Sequence, residues 1–182
     1  MTDRITGWML VALLAVSSAV TIAADAPLPV VAAVDLDRYA GKWHEIARYP
    51  NRFERMCVAD VTATYARNPD GTIAVVNECR KADGTRERAD GLARVVQAPA
   101  KLAVRFAPAW LSWLPLVWGD YWIIDLDPDY RFVIVGEPSR EYLWVLAREP
   151  ALDDDMWHTV YGKLSRVGYD PELLVRNPGT TR

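Results

Sequence analysis

The 182-residue chain is poor in the residues that build metal and nucleophile sites, with two cysteines and two histidines. His44 and His158 fall on unrelated segments, and neither stands at ligand spacing from a cysteine, which argues against a zinc site. No Gly-x-Ser-x-Gly elbow and no glycine-rich phosphate loop occurs, so the chain reads as a non-enzyme that needs no cofactor. A surplus of positive charge is missing as well. Twenty-one basic residues face 24 acidic ones, a net charge of -3. The two signs interleave, as in Arg86-Glu87-Arg88-Ala89-Asp90, which is the pattern of a solvated face and not of a nucleic-acid surface. Disorder is excluded by composition, because half of the chain is hydrophobic and only a quarter is charged.

Charge is also absent from Trp8 to Ala24, just after Arg4 and just before the small residues Ala23, Ala24 and Ala26. This is the layout of a secretory signal peptide over 1–26, and the run is also long enough for an uncleaved membrane anchor. Either reading exports the protein to the periplasm or to a membrane-associated place in the envelope. No cysteine precedes Cys57, so a lipidated cysteine after the leader is not available. Residues 27–34 read as a linker, 35–176 as one folded domain and 177–182 as a tail. In an exported chain the pair Cys57 and Cys79 suggests a disulfide, stabilising by roughly 3 kcal/mol.

What the chain does have is a run of short strands. Candidates are 42–49, 59–67, 72–80, 85–97, 101–107, 120–126, 131–136 and 142–148. Asn68-Pro69-Asp70-Gly71 and Ala82-Asp83-Gly84 supply hairpin chemistry, while Pro99, Asp127-Pro128-Asp129 and Glu137-Pro138-Ser139 punctuate the rest. Many evenly spaced strands without intervening helices predict an antiparallel sheet that closes to remove its edges. One helix follows. Asp153, Asp154 and Asp155 favour an N-terminus, Trp157, Val160, Tyr161, Leu164 and Val167 make an apolar stripe, and Gly168 stops it. Leu173 to Val175 suggest a last short strand.

Gly41-Lys42-Trp43, Asp127-x-x-Tyr130 and Arg148 stand beside strands one, six to seven and eight. In an up-and-down barrel all of these meet at one end, where an arginine over an indole would seal a floor. Cys57 and Cys79 map to the other end, the mouth. So does the connection from Pro108 to Trp118, in which Trp110, Leu111, Trp113, Leu114 and Trp118 stand without a single charge. Loops are normally polar, so this one invites three readings: contact with a membrane surface, a lid over the cavity, or burial against a second copy in a homodimer.

Leu102, Val104 and Phe106 alternate with Lys101, Ala103 and Arg105, giving an apolar inner face and a solvated outer one. Tyr142 and Trp144 share their parity with Leu146 and Arg148, and Trp43 shares one with Glu45 and Ala47. Glu45, with Asp125, would place carboxylates in the cup, where they meet a head group or bond water or Arg148.

Through such residues the chain resembles the lipocalins, and within them the bacterial members related to apolipoprotein D. The likeness is carried by Gly41-Lys42-Trp43-His44-Glu45-Ile46-Ala47-Arg48, by Val61-Thr62-Ala63-Thr64-Tyr65, by Asp125-Leu126-Asp127-Pro128-Asp129-Tyr130, and by Tyr142 to Pro150. It implies an all-β, eight-stranded antiparallel up-and-down β-barrel with one C-terminal helix packed outside. It also implies Tyr121 and Ile123 as further cavity residues, and a fatty acid or lysophospholipid as ligand in the bacterial envelope, supporting membrane maintenance. Two other functions remain open: an interaction protein that uses the tryptophan-rich loop, and a pigment or haem carrier.

Overall fold

The computed structural model describes residues 27–177, so the leader at 1–26 and the tail beyond 177 lie outside the described residues. Strands β1 (Gly41–Arg48), β2 (Cys57–Arg67), β3 (Ile73–Lys81), β4 (Arg86–Ala98), β5 (Lys101–Arg105), β6 (Gly119–Leu126), β7 (Phe132–Gly136) and β8 (Leu143–Ala147) follow one another antiparallel. β1 pairs with both β8 and β2, which closes the sheet into a barrel. A short helix, α1 (Leu36–Tyr39), precedes β1, and α2 (Asp154–Arg166) follows β8. The last strand is β9 (Val175–Arg176), which starts two residues later than the sequence suggests, because a 3-10 turn occupies Pro171–Leu173.

The hairpins form where turn chemistry demands them. Gly71 and Gly84 take positive φ of 85° and 83°, and Asp70 and Asp83 each accept from the backbone N–H two residues on, in Thr72 and Thr85. The Cys57–Cys79 disulfide is present, with Cα atoms 5.5 Å apart. Cys57 opens β2 instead of lying in the preceding connection.

Two apolar clusters result. One fills the lower barrel around Trp43, Tyr65, Val75, Leu102, Ile123 and Val133. The other lies between barrel and helix, where Trp157, Val160 and Leu164 of α2 meet Ile46, Ile134 and Val145. The helix stands where its ends are satisfied: Asp153 accepts from Met156 N–H at 2.8 Å, and Gly168, at φ 81°, ends it. Residues 27–34 lie along the barrel, with Leu28 buried in the outer cluster and Val31 N–H donating to Ile123 C=O.

Among the register shifts of the barrel, those in β6 and β1 break the alternation beside the site. Between Ile123 and Asp125 the β6–β7 register slips, so Ile124 and Asp125 both turn outward, and Asp125 pairs with Lys163 of α2 at 2.8 Å. Asp125 is therefore not a cavity carboxylate. The same slip between Glu45 and Ala47 sends Ala47 to the helix side. Arg105 also departs from its expected solvated place. It is 7 % exposed, beneath the Trp118 ring.

Candidate functional site

The closed end is built around α1, a four-residue helix too short to show in the sequence pattern. Asp35 caps its start by accepting from the N–H groups of Asp37 and Arg38. Its last carbonyls are taken by one side chain: Arg148 donates to the C=O of Arg38, Tyr39, Ala40 and Lys42 at 2.7 to 3.1 Å. The same guanidinium lies 3.9 Å above the ring of Trp43, which is wholly buried and donates its Nε1–H to Tyr39 C=O. Gly41, at φ 95°, keeps a Cβ away from Arg148 Nη1. Tyr130 closes the far side, accepting from Asp35 N–H at 2.8 Å and carrying the Arg38 guanidinium over its ring. Asp127 holds the turn through Arg131 and two backbone N–H groups. Arg131 keeps its carboxyl below the usual carboxylate range. Gly41, Trp43, Asp127, Tyr130 and Arg148 thus converge on one floor.

Above that floor the barrel is hollow. A cavity of about 770 Å³ opens at the other end, a volume that suits a drug-sized or lipid-sized guest. Leu102, Val104, Phe106, Tyr121, Tyr142 and Trp144 all line it. Phe106 sits at the rim, half-exposed, and Gly91 leaves room for its ring. Ile123 is different. It is fully buried in the packed base and is not part of this cavity's lining.

The wall also holds residues that the sequence reading passed over. Ile73, Val75 and Asn77 share the inward parity of Cys79, a signal that the disulfide itself offers. Tyr39 and Tyr65 join Tyr121 at the base, with hydroxyl contacts of 2.6 and 2.9 Å. Tyr39 precedes every strand, so no alternation could reveal it. Glu54, in the β1–β2 connection, accepts from Trp144 Nε1–H at 2.9 Å and faces Arg48 at 3.3 Å. Arg48 also pairs with Glu45, which Asn177 holds from the C-terminal side. Burial, then the neighbouring Glu54 carboxylate, push the Glu45 carboxyl well above its ordinary range against the pull of Arg48 and Asn177. Acidic residues prevail around the lining: Glu78, Glu87, Asp120 and Glu137 join Glu45 and Glu54, against Arg52.

The connection from β5 to β6 forms two 3-10 turns, Ala109–Leu111 and Pro115–Val117. Trp110 and Trp113 are 73 % and 74 % exposed, and Leu116 is 96 % exposed. Leu111 and Leu114 are half-buried beneath them. Trp118 does not project. Its Nε1–H donates to Ser112 C=O, and the Arg94 and Arg105 guanidinium groups lie 4.1 and 5.2 Å from its ring. The loop therefore reaches in two directions, lining the mouth through Leu116, Val117 and Trp118 while Trp110 and Trp113 face outward.

A closed eight-stranded cup, floored by an indole–guanidinium stack and flanked by one helix, is an architecture that can enclose a small apolar molecule. The comparisons agree. The lipocalin-like domain model matches residues 34–179. Temperature-induced lipocalin-1 of Arabidopsis thaliana is 39% identical over 155 residues, 83% of this chain and 82% of that protein. Outer membrane lipoprotein Blc of Escherichia coli K12 is 34% identical over 174 residues, 91% of this chain and 95% of that one. Among solved structures, insecticyanin from the tobacco hornworm Manduca sexta superposes with a TM-score of 0.62 at 20% identity, covering 83% and 82% of the two chains, a likeness of fold. The chain belongs to the lipocalin family, whose members bind small hydrophobic ligands.

Proposed function

We propose that the protein binds and carries a single-chain lipid amphiphile, taken up from or handed to a membrane of the bacterial envelope. The observation that carries this is the 770 Å³ cavity with its mostly apolar wall, entered beside a loop that presents Trp110, Trp113 and Leu116 to solvent. Indole rings favour the membrane interface, where the ring leaves water and the N–H keeps its partner. Such a loop at the mouth would let an acyl chain pass from bilayer to cup without crossing water. Among the described residues no helix is long and apolar enough to cross a membrane, so in this reading that part of the chain meets the bilayer by its loop. Envelope placement draws further support from Blc, a relative named an outer membrane lipoprotein.

The acidic lining chooses between head groups. A free fatty-acid carboxylate at the mouth would meet Glu54, Glu78, Glu87, Asp120 and Glu137; Arg48, Arg88 and Lys81 pair with the first three, which leaves Asp120 and Glu137 as the excess negative charge facing Arg52. The ammonium of a zwitterionic lysophospholipid would meet opposite charge. Delipidated protein titrated with palmitoyl lysophosphatidylethanolamine and with palmitate, followed by tryptophan fluorescence, tests this. One-to-one saturation is expected for both, tighter for the lysolipid at low salt. Absence of saturation by either would contradict the carrier reading.

A further inference from the structure

The three hydroxyls at the cavity base raise a question of protons. Tyr121 Oη stands 2.6 Å from Tyr39 Oη and 2.9 Å from Tyr65 Oη. Three O–H groups carry three protons, and two contacts between them use two. However the donors are assigned, one proton is left over. If Tyr121 accepts from both neighbours, its own proton is spare; if it donates to one, that neighbour's proton is spare. None of the three hydroxyls has another hydrogen-bond partner among the described residues. Tyr39 and Tyr65 are 4 % and 7 % exposed, and all three rings line the cavity among Ile73, Val75 and Leu102. Burial raises all three phenols above their ordinary range, so they stay protonated.

A second polar group stands nearby without a partner. Asn77 Oδ1 is buried and accepts no hydrogen bond. Asn77 lines the same cavity, two residues along β3 from Val75, the cross-strand partner of Tyr65, and so on the same face one step above the tyrosines. A donor and an acceptor, both buried and both unsatisfied, mark a site made for more than a methyl end.

We propose that the Tyr39–Tyr121–Tyr65 hydroxyl chain, with Asn77, is a binding site for an uncharged oxygen at the leading end of the ligand, such as a hydroxyl or carbonyl on an acyl chain. This rests on the cavity being a lipid site and adds a preference within it: oxygenated chains over plain ones. A hydroxyl fits best, since it accepts from the spare tyrosine proton and donates to the Asn77 carbonyl. A carboxylate fits poorly, because neutral phenols offer it one donor and no compensating charge.

The test uses matched lysophosphatidylcholines, from lauroyl to stearoyl, each with and without a terminal hydroxyl. They are titrated into the delipidated protein, its Asn77→Leu variant and a variant carrying Tyr39→Phe, Tyr65→Phe and Tyr121→Phe together, with folding checked by thermal unfolding. An apolar base would reject the hydroxylated chain by about tenfold or more, since a buried hydroxyl without a partner is costly. The wild type should instead favour it by about five- to tenfold at the chain length that reaches the base. Removing all three hydroxyls should bring that ratio to one or below, since no tyrosine proton is left to donate, and Asn77→Leu should lower it partway. A wild-type preference for plain chains at every length would overturn the site, as would a preference that survives removal of the three hydroxyls, with the carrier reading left intact. Binding of neither series by the wild type would overturn that reading and the site with it.

Discussion

The two ends of the barrel use the same kinds of residue to opposite effect. At the floor, Arg148 spends its donors on four backbone carbonyls and its face on the Trp43 ring. At the mouth, Trp110 and Trp113 lie open to solvent, and no cation among the described residues stacks on them. Carboxylates divide in the same way. Asp127 is saturated by Arg131 and backbone N–H groups and is held below its ordinary pKa, whereas Glu45, buried beside Glu54, is pushed above it. Satisfied groups give one end its stability, and the other end keeps unsatisfied surface and charge with which to meet a ligand.

The largest effect expected from breaking this contrast is at the floor. Trp43→Ala removes a wholly buried indole and the seat of Arg148, and should cost about 3–5 kcal/mol in denaturant unfolding. Removing the disulfide as Cys57→Ser with Cys79→Ser should cost roughly 3 kcal/mol, with the floor otherwise intact.

A smaller effect sharpens the contrast through pH. Asp127 titrates lower in the fold than in the unfolded chain. Its contribution is complete above the ordinary carboxylate range and is lost as pH falls through its lowered value. Glu45 has the opposite sign. The fold holds its proton more tightly than the unfolded chain, so stability declines as pH rises above the ordinary carboxylate range towards the raised value. Asp127→Asn should therefore flatten the acid side of a stability-against-pH curve, and Glu45→Gln the decline above it. Equal slopes in Glu45→Gln and wild type would contradict the buried-carboxyl account.

The smallest stability effect belongs to the mouth. Trp110→Ser with Trp113→Ser should change unfolding free energy by less than about 0.5 kcal/mol per site, because both rings are exposed. The same pair should abolish sedimentation with phospholipid vesicles. Unchanged vesicle binding would remove the membrane role, and a dimer that these substitutions dissociate would give the patch to a second copy.

Much of this architecture was legible in sequence. Every strand from β1 to β8 appears within two residues of its expected bounds, because turn residues such as Asp70-Gly71 and Asp83-Gly84 fix hairpins locally. Alternation placed Leu102, Val104 and Phe106 on the wall. It failed at Asp125 and Ala47, because a bulge is one extra residue with no sequence mark, and parity beyond it inverts. It failed at Arg105 because Trp118 folds over it from a distant loop. The polar part of the site was the least legible. Tyr39 enters from a single helical turn, and Glu54 and Asn177 come from segments outside the strand pattern.

Everything functional depends on the hollow above the floor holding a lipid. Native mass spectrometry of the protein drawn from its own envelope, without delipidation, reads this directly. One bound amphiphile of lipid mass per chain is the predicted result, and a consistently empty protein would contradict the account.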